Sequence, residues 1–164
     1  NSLYPLDMVT LHDDWGTEKD TFFSEKMLTE IVYSPTKKLI DHVKSKGVIF
    51  ELHSCGNVKR FIPYTIDLGV DLLQLQRRAV DLPVLKKEYG DKIGFCTPLE
   101  GVVPGADYSS EEVISMVRKT VDLYAQGGGS YTSVFFREPE KTWLGLSELH
   151  AYSREFYDRE QGRE

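Results

Sequence analysis

The sequence predicts a parallel α/β fold, read as one domain over residues 1–164, and three observations carry that prediction. Short apolar runs of strand type alternate five times with helical segments, the pattern of parallel strands joined by right-handed crossovers. Polar residues crowd the carboxyl ends of the runs, where both kinds of parallel α/β fold place their sites. Glycines stop the helical segments at Gly47, Gly69, Gly90 and 127–129. An open doubly wound sheet needs about five strands, whereas a closed (β/α)8 barrel needs eight and about 250 residues. Local pattern leaves the two architectures open.

Each element has its own warrant. Residues 7–11 (DMVTL) read as a short strand that runs into His12, Asp13, Asp14, Trp15 and Gly16. Met27, Leu28, Ile31 and Val32 fall on helical spacing and predict a short helix after a loop. Ser34 and Pro35 then predict a fresh helix start, with Ser34 as N-cap, Pro35 at the first helical position and Leu39, Ile40 and Val43 as the apolar stripe to Lys46. Residues 48–58 (VIFELHSCGNV) hold the central strand, rich in β-branched and aromatic residues. Phe61, Ile62, Ile66 and Leu68 predict a helix, and residues 71–76 (DLLQLQ) a strand with Gln74 and Gln76 on one face. Leu82, Leu85 and Tyr89 mark the next helix, followed by the strand 93–96 (IGFC). Ser109 or Ser110 caps the clearest helix, with Glu111 and Glu112 in its first turn and Val113, Met116, Val117, Val121 and Tyr124 along one side. Residues 130–136 (SYTSVFF) predict the last strand, and 146–161 a final helix with Leu149, Phe156 and Tyr157 facing inward.

The central strand concentrates the chemistry. Alternate residues of a strand point the same way, so His53 and Cys55 can grip one metal ion from one side. The plain alternative is packing, because short His-x-Cys spacings are common without a metal. Asp13 and Asp14 are candidates for acid, base or metal-binding roles, against the ordinary use of Asp in turns and caps. His12 is a candidate ligand contact or a loop hydrogen-bonding residue, and Trp15 a candidate pocket wall or a packing residue. The three glycines 127–129 lack the Lys and Ser or Thr of a phosphate loop and read as a helix stop.

Composition narrows the function classes. The chain has 164 residues, 40% hydrophobic and 28% charged, with a net charge of −6. That balance argues against a nucleic-acid binder. No apolar stretch reaches membrane-spanning length, and the amino-terminal residues do not form a signal peptide, so a cytoplasmic protein without a membrane partner is expected. Two cysteines do not make a disulfide scaffold; free thiols or metal ligands are expected. The chain lacks an initiator methionine and reads as a piece of a longer protein.

The succession LHDDWGT, SPTKKLIDHVKSKG, ELHSCGNV, LGVDLLQLQ, KKEYGDKIGF and the triple glycine before the last strand resembles the uroporphyrinogen decarboxylase superfamily nearly end to end. The resemblance implies the carboxyl-terminal part of a (β/α)8 TIM barrel, without its first β/α units. It implies one of two activities. The favoured one is methyl transfer from a corrinoid (a methylcobamide, possibly protein-bound) to a small thiol or similar acceptor activated by zinc. The alternatives are uroporphyrinogen decarboxylation, and a piece inactive alone that self-associates through exposed barrel edges as a homo-oligomer.

The resemblance also assigns roles. His53 and Cys55 match the His-x-Cys zinc pair of the thiol methyltransferases, while the later cysteine of that branch falls at Phe136 here. Cys96 could then supply a second thiolate, and Glu100 or Asp14 an oxygen. Asp13 and Asp14 would act at the reacting groups, and His12, Trp15, Gln74 and Gln76 would bind or orient substrate. In the decarboxylase branch, a serine stands where this chain has Asp14 and a histidine near Phe135 or Phe136.

Overall fold

The computed structural model describes residues 4–163. Five parallel strands alternate with helices, and the strand order in the sheet follows chain order, as in part of a TIM barrel. The strands are β1 (Met8–His12), β2 (Ile49–Ser54), β3 (Leu72–Leu75), β4 (Gly94–Thr97) and β5 (Ser130–Thr132). By their internal contacts the residues fall into two compact units, Asn1–Phe95 and Cys96–Glu164.

In the first unit β1, β2 and β3 pair in parallel, with Thr10 beside Glu51 beside Leu72, and His12 beside His53 beside Gln74. Alternation then divides the side chains. Phe50, Leu52 and Leu73 are buried on one face, while Thr10, Glu51, His12, His53 and Gln74 share the other. The apolar layer is completed by Leu28, Ile40, Phe61, Ile62 and Leu68, all fully buried.

The helix before β2 differs from the sequence expectation. Ser34 is not an N-cap: the chain enters helix at α1 (Glu25–Met27), capped by Ser24, and runs through a π turn (Leu28–Val32) into α2 (Tyr33–Lys44). Pro35 therefore lies inside the helical run. A proline ring collides with the carbonyl four residues back, here Ile31, and Ile31 lies in the widened π turn. After β2 a 3-10 turn (Lys59–Phe61) leads into α3 (Ile62–Leu68), closed by Gly69 at φ 86°. Asp81 caps α4 (Leu82–Tyr89).

In the second unit Ser109, one of the two candidate caps, forms a reciprocal capping box with Glu112 at the start of α5 (Ser110–Tyr124). Ser109→Ala removes one side of that box, and we expect a loss of about 1 kcal/mol, read as a lower urea midpoint at unchanged slope. An unchanged midpoint would show that the cap contributes nothing. Two boundaries differ from expectation. β5 ends at Thr132, yet Val134 and Phe136 remain buried with Leu99, Val113 and Val117, while Phe135 is exposed. Alternation continues there without strand pairing. The last helix, α6 (Pro139–Glu160), starts well before residue 146, because Pro139 occupies the first turn, where its missing N–H is no loss. Tyr157, expected to face inward, is exposed.

Candidate metal centre

Two neighbouring strand ends make the site. β1 runs out at His12 into Asp13 and Asp14, and β2 runs out at Ser54 into Cys55 and Gly56. The two loops are tied together. The Asp13 N–H donates to the His53 carbonyl at 3.1 Å, the Trp15 N–H to Ser54 Oγ at 2.9 Å, and the Asn57 N–H to the Thr17 carbonyl at 2.6 Å. Gly56 permits this approach. Its φ is +80°, and a Cβ there would lie 2.1 Å from the carbonyl carbon of Gly16.

The loops bring Asp14, His53 and Cys55 together as a potential metal-binding cluster. One ligand atom from each lies within 4.8 Å of the others. Cys55 Sγ is 3.4 Å from His53 Nε2, and Nε2 is 3.7 Å from Asp14 Oδ1. Ligand atoms at ~2.0–2.3 Å from a tetrahedral zinc ion stand about 3.3–3.6 Å apart, so the donor set suits zinc in chemistry, and the His53–Cys55 distance matches while Asp14 would close in slightly. His53 is oriented from behind. Its Nδ1 lies 2.6 Å from Gln74 Oε1, an atom that can only accept. Nδ1 therefore carries the hydrogen, and Nε2 presents its lone pair to the cluster.

Electrostatics inside the cluster couple acid and thiol. The Cys55 N–H donates to Asp14 Oδ1 at 2.7 Å, and this bond, helped by the nearby imidazoles of His53 and His12, holds the Asp14 carboxyl below its ordinary range. Burial first, and the Asp14 charge next, push the Cys55 thiol up. The bare cluster is thus a carboxylate beside a protonated thiol.

The other expected site residues are placed as follows. The His12 ring stacks on His53 with centroids 4.6 Å apart, and its side chain is exposed at the rim. Gln76 Oε1 accepts the Gly56 N–H at 2.9 Å and so steadies the loop that carries Cys55. Asp13 Oδ2 accepts the Trp15 indole N–H at 2.8 Å. Trp15 takes the packing alternative. It is 2% exposed and packs edge-on to Phe23 and Phe61, since the Gly16–Gly56 approach folds its loop inward. Cys96 and Glu100 belong to the second unit. Both are buried, and Glu100 Oε1 accepts the Tyr124 hydroxyl at 2.9 Å. The donor that the structure sets beside His53 and Cys55, within 4.8 Å, is Asp14. Phe136, where the resembled branch has a cysteine, is a core residue of the second unit.

A family model described as uroporphyrinogen decarboxylase (URO-D) matches residues 6–131, a span that contains the whole cluster. The chain belongs to the uroporphyrinogen decarboxylase family. No curated protein matches it. Among solved structures, a methyltransferase from Methanosarcina mazei is similar in fold, with a TM-score of 0.57 and 16% identity over 92% of this chain. This family member spans 42% of that structure's length. No helix among its described residues is long and apolar enough to cross a membrane.

One residue on the site-bearing face escaped the sequence reading. Glu51 lies two positions before His53 and is 3% exposed. Its signal was an acidic residue inside the otherwise apolar run VIFEL.

Proposed function

We propose that this protein is a zinc-dependent methyltransferase of the uroporphyrinogen decarboxylase family, moving a methyl group from a corrinoid to a small thiol. The observation that supports the reading is the Asp14–His53–Cys55 cluster, a nitrogen, sulfur and oxygen donor set gathered within 4.8 Å. A zinc ion at this cluster supplies Lewis acidity that makes an acceptor thiol ionise near neutral pH. The chain's own residues prepare that event. Gln74 holds the imidazole in the tautomer that leaves Nε2 free. Gln76 and the Gly16–Gly56 contact fix the loop bearing Cys55. Asp14 takes the Cys55 N–H, which aims its carboxylate at the cluster. His12, exposed and stacked on His53, forms the wall that an entering acceptor meets. Were these residues to hold zinc, the acceptor thiol would lose its proton, and its sulfur would take the methyl group as the carbon–cobalt bond of the corrinoid breaks and leaves its electron pair on cobalt.

A second reading is decarboxylation of uroporphyrinogen. The comparisons by themselves favour it, because the matching family model is described by that activity. Against it stands the site: Asp14 occupies the place of a serine in the resembled decarboxylases, and its charge would repel a substrate of many carboxylates. The test is made on the intact protein, by metal analysis with two assays. One follows methyl transfer from methylcobalamin to 2-mercaptoethanol, and the other carbon dioxide release from uroporphyrinogen. About one zinc per chain with zinc-dependent methyl transfer is the expected result. Carbon dioxide release that ignores chelators would establish the second reading instead.

A further inference from the structure

Glu51 takes no part in the metal cluster, yet it shares a column with it. Side chains two apart on a strand project the same way, so Glu51 and His53 lie on one face of β2, with Cys55 one residue past the strand end. Across the sheet, Thr10 and Leu72 flank Glu51, and His12 and Gln74 flank His53. The Glu51 row is thus one step, about 6.6 Å along the strand, from the row that carries the imidazole.

The carboxyl group is half satisfied. Thr10 Oγ1 donates to Glu51 Oε2 at 2.7 Å. Oε1 is buried and has no hydrogen-bond partner, the one such side-chain atom among the described residues. Burying an acceptor without a donor costs free energy, and native interiors meet such atoms with protein, water or ligand. An apolar residue at this position, between Thr10 and Leu72, would carry no such cost. An unmet carboxylate oxygen calls for a cation more strongly than for a neutral donor, since charge-assisted hydrogen bonds are about twice as strong.

We propose that Glu51 Oε1 receives a protonated amine of the acceptor, which makes the acceptor an aminothiol. This rests on the zinc reading above. The sulfur goes to the Asp14–His53–Cys55 cluster and the ammonium to Glu51; a two- or three-carbon spacer covers about 4–5 Å, and the hydrogen bond to Oε1 makes up the rest of the ~6.6 Å step between the two rows.

The test compares 2-aminoethanethiol with 2-mercaptoethanol by calorimetry on the intact, zinc-loaded protein, as wild type and as Glu51→Gln and Glu51→Met. Zinc content is measured after each titration. In the wild type the aminothiol is expected to bind at least ~10-fold more tightly than the hydroxythiol, as a charge-assisted bond requires. Both variants should bring the two ligands to within about twofold while 2-mercaptoethanol affinity and zinc content hold. Equal affinities in the wild type would overturn the proposal and assign Oε1 to a buried water. That result needs no variant, so a misfolded Glu51 substitution does not decide the matter. If neither ligand binds and no zinc is retained, the metal reading itself has failed and the amine site falls with it.

Discussion

His53→Ala and Cys55→Ser each abolish stoichiometric zinc binding, with affinity falling by more than ~100-fold. Changing a residue that merely orients a ligand typically costs about 10–100-fold, and these substitutions delete the ligand itself. The remaining donors cannot fill a tetrahedral site, since among the described residues Asp14, His53 and Cys55 are the three that meet within 4.8 Å. Metal analysis after dialysis, with a competing chelator to set the scale, reads the effect. Full zinc retention by both variants would remove the basis of the proposed function. The same measurement has a pH sign. The Cys55 thiol is pushed up by burial and by Asp14, and zinc takes the thiolate, so a proton leaves as the metal enters. Affinity therefore rises with pH until the thiol ionises unaided. Calorimetry in buffers of different ionisation enthalpy should show the released proton, and Cys55→Ser should lose that release.

Gly56→Ala is expected to destabilise the protein by on the order of 3–5 kcal/mol, by combining two independent penalties. The residue sits at φ +80°, which side-chain-bearing residues rarely adopt, and the added methyl carbon would fall 2.1 Å from the Gly16 carbonyl carbon and 2.6 Å from the Thr17 oxygen. Both obstacles are backbone, which cannot swing aside as a side chain can. Against a typical total of about 5–15 kcal/mol, such a loss lowers the melting temperature by roughly 10 °C or more. Relaxation that avoids unfolding would separate the two loops, and zinc affinity would fall with it. A variant of wild-type melting temperature and zinc affinity would show that the close approach is not required. Gly47 makes the contrast: its φ is +72°, but no atom lies within 4 Å of its would-be Cβ. Gly47→Ala should therefore show the backbone penalty alone.

Much of this protein was legible without coordinates because its signals are local. Strand and helix alternation, a serine cap at 109 or 110, the Gly69 stop and the same-face placement of His53 and Cys55 depend on neighbours a few residues apart. The reading failed where a distant or competing contact decides. Ser34–Pro35 has the local form of a helix start, but Ser24 caps earlier and the π turn admits the proline. For Trp15 local pattern left pocket wall and packing both open, and the folded loop buries it against Phe23 and Phe61.

The sequence by itself determined a parallel α/β chain with a His-x-Cys pair at a strand end, since periodicity and turn chemistry are written in adjacent residues. Of the two oxygen donors the sequence offered, only the tertiary structure set Asp14 within 4.8 Å of the pair, and it alone left Glu51 with an unmet buried oxygen. Asp14 is 39 residues from His53 in the chain, and Thr10 is 41 from Glu51. Parallel pairing of β1 with β2 brings both couples together, and no local pattern records the register that does so.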